Sequence, residues 1–131
     1  MKDEEERLSI GELASQLGIT TRTIRYYEEI GLMDPNEREP GKNRTYGRED
    51  VIRLKFIVRL KDLGITLKEM QELANIYKLS QDTQSMMPVL IEILDEHLGR
   101  IDDKIANITA LRTDIANYRK RIAARLIGET V

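Results

Sequence analysis

The chain has 131 residues, with 21 Lys or Arg against 23 Asp or Glu, one histidine and no cysteine. That length suits one ordinary domain, or a compact domain of roughly 80 residues with one long element, and is too short for a large enzyme fold. Without cysteine, disulfides, thiolate metal sites and cysteine nucleophiles are excluded, and His97 leaves only carboxylates as further charged ligands. No nucleophile–base pair, phosphate loop or metal cluster can be assembled from this inventory, so neither catalysis nor a cofactor is expected.

There is no run of 18 apolar residues, and the opening MKDEEER is acidic where a secretory signal is basic and then apolar. The chain therefore reads as cytoplasmic, with no membrane partner and a flexible acidic tail over residues 1–7. A net charge of −2 and a pI of about 5.6 argue against nucleic acid. The distribution argues the other way: from Thr20 to Lys61 ten Lys or Arg face seven Asp or Glu, so that segment is +3 and the remainder −5.

In chain order, Ser9-Ile10-Gly11-Glu12 fits a capping box, and Ile10, Leu13, Ala14 and Leu17 recur at helical spacing as one buried stripe. Gly18 stops that helix, and Thr20 or Thr21 caps the next, which is the layout of a tight helix-turn-helix. In the second helix Ile24 must face the core. With Tyr27 or Glu28 along the same seam, Thr21, Arg22, Arg25 and Tyr26 fall at or near the exposed face. Guanidinium, hydroxyl and phenol groups there suit phosphates and base edges. Tyr27 has a second reading, as a packing residue.

Gly31 closes this helix, and PNEREPGKNRTY follows. Pro40-Gly41 is a turn signal between short polar segments that can pair as a hairpin, carrying Arg38, Lys42, Asn43 and Arg44 with Tyr46 close by. Such a wing reaches phosphates beside a groove. A helix from about Arg48 to Leu63 supplies Val51, Ile52, Leu54, Phe56, Ile57, Val58, Leu60 and Leu63 to the core, and Gly64 ends it. Thr66-Leu67-Lys68-Glu69 is a second capping box, opening a helix that buries Leu67, Met70, Leu73, Ala74 and Tyr77. Arg59, Lys61 and Lys68 flank the intervening turn as a second basic patch. Residues 8–79 thus form one domain, with 80–85 as a linker.

From Met86 to Leu126 the helical pattern is uninterrupted. Met87, Leu94, Ile101, Ile108, Ile115 and Ile122 occupy heptad position d, and Ile91, Leu98, Ile105, Arg112, Arg119 and Leu126 occupy a, with Leu111 and Tyr118 at the neighbouring g. Such a helix spans about 60 Å, more than the domain before it can cover, so it needs a partner helix, most simply that of a second subunit. His97 sits beside this seam as a part-buried neutral side chain. Residues 127–131 are left as a tail.

Taken together, LSIGELASQLGIT, TRTIRYYEEIGLM and RTYGREDVIRLKFIVRLKDLGITLKEM followed by a long helix resemble the MerR family of bacterial transcription regulators over nearly the whole chain. The resemblance implies a mainly α fold: a winged helix-turn-helix with a small β-hairpin wing, followed by a long antiparallel coiled-coil dimerisation helix. It implies a homodimer on a pseudo-palindromic site in double-stranded promoter DNA, distorting an overlong spacer for RNA polymerase. By position, recognition-helix contacts fall on Thr20, Thr21, Arg22, Arg25, Tyr26 and Tyr27, wing contacts on Arg38, Lys42, Arg44 and Tyr46, and second-wing contacts on Arg59 and Lys61. Dimerisation falls on Met87, Ile91, Leu94, Leu98, Ile101, Ile105, Ile108, Leu111, Ile115, Tyr118 and Ile122.

The tail RIAARLIGETV lacks the cysteines that metal- and redox-sensing members carry, and no separate effector domain follows. Two expectations stand for the signal: a small-molecule effector near Met70, Tyr77, Met86 and Met87, or no effector at all. The alternative function is an architectural protein, anchored on DNA by its head, whose long helix recruits a different coiled-coil partner.

Overall fold

The computed structural model describes residues 7–34 and 45–128. The elements are β1 (Leu8–Ser9), α1 (Ile10–Leu17), α2 (Thr21–Glu29), β2 (Thr45–Tyr46), α3 (Arg48–Asp62), α4 (Leu67–Ser80) and α5 (Met87–Leu126). The molecule is mainly α, as expected, and among the described residues no helix is long and apolar enough to cross a membrane.

Both capping boxes form. The Glu12 N–H donates to Ser9 Oγ at 3.1 Å and the Ser9 N–H to Glu12 Oε1 at 2.8 Å; Thr66 and Glu69 repeat the exchange at 3.1 and 2.9 Å. Each pair satisfies two helix-start donors that would otherwise lack partners. At the far end of α1, Gly18 takes φ 70°, a left-handed conformation that a side chain disfavours, and its N–H closes back on the carbonyls of Ala14 and Ser15. The short turn that results delivers Thr20, whose side chain caps α2. Gly47 begins α3 without a side-chain cap; its N–H instead donates to Asp50 Oδ2 at 2.9 Å.

β1 and β2 pair antiparallel, Leu8 opposite Tyr46 and Ser9 opposite Thr45. Sequence reading did not anticipate this ladder, and the hairpin expected around Pro40–Gly41 lies outside the described residues. Arg7, placed in the acidic tail by composition, clamps the ladder: its Nε donates to Thr45 Oγ1 at 2.6 Å and its Nη2 to the Thr45 carbonyl at 2.8 Å. A Cβ on Gly47 would stand 3.0 Å from Arg7 Nη1, so the glycine leaves room for the guanidinium.

The core of the first unit gathers Leu13, Ala14, Ile24, Tyr27, Leu32, Met33, Tyr46, Leu54, Ile57, Leu60, Ile65, Met70 and Leu73. Two residues expected inside are exposed, Ile52 and Leu63. Both lie off the stripe that Leu54, Ile57 and Leu60 define at three-residue steps on α3, and apolar character alone did not reveal that.

The chain forms two compact units, Met1–Ile91 and Glu92–Val131. The 40 residues of α5 make a helix about 60 Å long. Along it Ile91, Leu98, Ile101, Ile105, Ile108, Leu111, Ile115, Tyr118 and Ile122 are all exposed, with Met87 less so and Leu94 half-buried. An apolar stripe of that length on one face exceeds what isolated chains usually leave to water.

Candidate nucleic-acid interface

α2 exists because Thr20 caps it: Thr20 Oγ1 accepts the Thr23 N–H at 3.1 Å and meets the Thr23 hydroxyl at 2.9 Å. Its orientation is fixed by Ile24 and Tyr27, one turn apart and both buried, Tyr27 at 4% exposure. Arg22, Arg25 and Tyr26 consequently face outwards, Tyr26 at 45% exposure, and Thr21 is half-buried. The two adjacent phenols therefore divide their roles, with ring centroids 6.2 Å apart and planes tilted by 46°.

Two of the residues proposed as contacts need correction. Tyr27 packs in the core and does not share the exposed face of Arg22 and Tyr26, because it stands three residues after Ile24. Tyr46, expected among the wing contacts, is 1% exposed. Its phenol is turned inwards, where the O–H donates to Glu28 Oε2 at 2.7 Å. This bond ties the strand at the root of the wing to the outward-facing helix. Arg38, Lys42 and Arg44 lie outside the described residues.

Arg59 and Lys61 are exposed on the last turn of α3, and Lys68 is exposed at the start of α4. An open cleft of about 430 Å³ brings this turn together with α2: Arg22, Thr23 and Tyr26 form one wall, and Lys61 with Leu67 and Met70 the other. Two cations and a phenol around an apolar floor suit a sugar–phosphate backbone, in which charged oxygens alternate with less polar ribose. Thr23 was not singled out from the sequence. Its hydroxyl, bonded to Thr20, lies at the cleft because α2 turns that side towards α4.

Arg53, counted in the basic cluster, serves the fold instead. It pairs with Asp34 Oδ2 at 3.3 Å and stacks on the Tyr77 ring at 4.8 Å from the centroid. Among titratable groups Glu12 has its carboxyl held below the usual range, first by the Ser9 backbone N–H and then by the Ser9 hydroxyl. Among the described residues no group of three or more His, Asp or Glu side chains is arranged to hold a metal ion.

Two family models match the chain: "MerR HTH family regulatory protein" over residues 8–76 and "MerR, DNA binding" over residues 51–118. The HTH-type transcriptional regulator ZntR homolog of Haemophilus influenzae is 34% identical over 114 residues, covering 87% of this chain and 82% of its own length. Of solved structures, the transcription regulator PbrR691 from Ralstonia metallidurans CH34 in complex with lead(II) superposes with a TM-score of 0.64 at 26% identity, covering 86% of this chain and 85% of that one. HiNmlR, a MerR family regulator lacking the sensor domain and bound to promoter DNA, shares the fold with a TM-score of 0.63 at 23% identity, covering 93% and 95%.

Proposed function

The chain belongs to the MerR family of helix-turn-helix regulators and is a DNA-binding transcription regulator rather than an enzyme; on that premise we propose that it works as a homodimer on a pseudo-palindromic promoter site. One observation carries the proposal furthest: Arg22 and Tyr26 of the outward face of α2 share a cleft with Lys61 of the α3–α4 turn. Such a face inserts a helix into the major groove while the flanking cation holds the adjacent backbone. Thr20, Thr21, Arg25 and Arg59 extend the same surface, and the wing with Arg38, Lys42 and Arg44 adds phosphate contacts.

Bending and untwisting spacer DNA costs several kcal/mol, which extra backbone contacts must offset. Many cations spread over helix, wing and second wing fit that requirement, and realigned promoter elements then become readable by RNA polymerase. The exposed stripe of α5 supplies the second subunit and thereby the half-site spacing. A promoter-binding regulator acts where the chromosome is, in the bacterial cytoplasm. HiNmlR, described as lacking the sensor domain and bound to promoter DNA, supports a reading in which this chain binds DNA without a separate effector domain. A small-molecule effector near Met70, Tyr77, Met86 or Met87 would add a ligand-dependent change to that binding. The lead ion of PbrR691 has no counterpart proposal here, since the chain contains no cysteine.

A mobility-shift competition tests the reading: the purified protein is expected to prefer fragments from its own promoter over random DNA, and equal binding to both would overturn it. Light scattering is expected to give a dimer. A monomer would favour the architectural alternative, in which α5 waits for a different helix.

A further inference from the structure

The charges of α5 are sorted by end. From Met87 to Ala106 five Asp or Glu stand against two Lys or Arg; from Asn107 to Leu126 five Lys or Arg stand against one Asp. A second copy laid parallel brings like ends together, and in register it stacks Arg112 on Arg112 and Arg119 on Arg119 at a positions of the seam. Laid antiparallel, the acidic half of each helix meets the basic half of the other.

Four charges make the arrangement specific. Asp95, Asp102, Arg112 and Arg119 are all exposed, and none has a residue of opposite charge three or four positions away on its own helix. Glu96, by contrast, stands four residues before Arg100 and has a helical neighbour of opposite sign. Both arginines occupy a and both aspartates e. In an antiparallel pair each a lies level with a partner d, and the a and e positions of the two helices line the same side of the seam.

We propose that α5 pairs antiparallel with α5 of a second copy along its whole length, about a centre between Ala106 and Asn107. Arg112 then meets Asp102 of the partner subunit, and Arg119 meets Asp95 of the partner subunit. The inference rests on the homodimer reading above and adds its register. That centre is also the midpoint of the helix, so the register that pairs the charges leaves no seam residue overhanging: Leu98 lies level with Ile115 of the partner subunit, and Ile105 with Ile108 of the partner subunit. Sliding by one heptad in one direction sets Arg112 beside Thr109 of the partner subunit. Sliding in the other sets Arg119 beside Pro88 of the partner subunit. Either slide also strips apolar layers from both ends.

The native chain has no cysteine, so introduced thiols report the register without background. Full-length Leu98→Cys protein is mixed with Ile115→Cys, Ile108→Cys or Ile122→Cys protein, allowed to exchange subunits and oxidised. The expected disulfide-linked species is Leu98→Cys with Ile115→Cys. Preferential linkage of Leu98→Cys with Ile108→Cys or Ile122→Cys overturns the register while leaving the dimer standing, and self-linkage of Leu98→Cys overturns the antiparallel sense. A monomer by light scattering before oxidation removes the dimer reading itself. As a second measurement, Arg119→Asp is expected to weaken the dimer by about tenfold, since two symmetric pairs become repulsive, and adding Asp95→Arg to the same chain to restore it within about threefold. Failure of that restoration overturns the ion pair.

Discussion

The phenol of Tyr46 donates to Glu28 Oε2 at 2.7 Å, joining β2, which ends the wing segment, to α2, which carries the outward arginines. The bond crosses 18 residues of sequence and is part-buried, so it fixes how the wing departs relative to the recognition helix. Tyr46→Phe keeps the ring in the core and removes this bond. Because the acceptor is a carboxylate in a partly shielded setting, the loss should be about 1–2 kcal/mol. The check is chemical denaturation, together with DNA affinity at fixed salt. A variant as stable as the parent would show that the bond contributes nothing.

Arg22 and Lys61 face each other across the cleft but lie outside the core. Arg22→Ala and Lys61→Ala should each leave stability within about 0.5 kcal/mol. Each should reduce the steepness of log affinity against log salt by about one, as expected for one lost phosphate contact. Titrations at several ionic strengths read this directly, and an unchanged slope in both variants would remove the cleft from the interface.

The neighbouring tyrosines separate fold from function. Tyr27→Ala empties a core position and should cost about 3–5 kcal/mol. Tyr26→Ala, on the exposed side, should cost less than about 1 kcal/mol while weakening DNA binding. Thermal melts paired with mobility shifts distinguish the two, and the reverse ranking in stability would contradict the orientation of α2.

Glu12 gives a pH dependence of known sign. Its folded carboxyl is held below its ordinary value by the Ser9 backbone N–H and the Ser9 hydroxyl, so ionisation stabilises the fold above the unfolded value. That contribution fades as pH falls through the lowered folded value. The stability difference between the parent and Glu12→Gln should therefore shrink on acidification from neutral pH. A difference that stays constant down to the acid limb would mean that the capping carboxylate is not the titrating group.

Local signals made much of this fold legible. Two capping boxes, the Gly18 stop and the long apolar repeat each specify backbone conformation within a few residues, and the structure contains all of them. Ile24 alone oriented α2, and with it Arg22, Arg25 and Tyr26. What escaped reading depends on contacts distant in sequence. β1 and β2 have two residues each, too few for alternation to register. Arg7 joins the fold through Thr45, far along the chain, and its acidic neighbours hid it. Tyr46 was assigned to the wing by proximity to basic residues, although the ladder opposite Leu8 and the bond to Glu28 turn it inwards. Thr23 became visible only once α2 and α4 shared a cleft.

The most direct test of the central claim is binding of the full-length protein to tiled fragments around its own gene at two salt concentrations, with a footprint of the tightest fragment. The account predicts one protected pseudo-palindrome between the −35 and −10 elements of a promoter with an overlong spacer, and an affinity that falls steeply as salt rises. Weak binding of equal strength to every fragment, with no protected site, would contradict it.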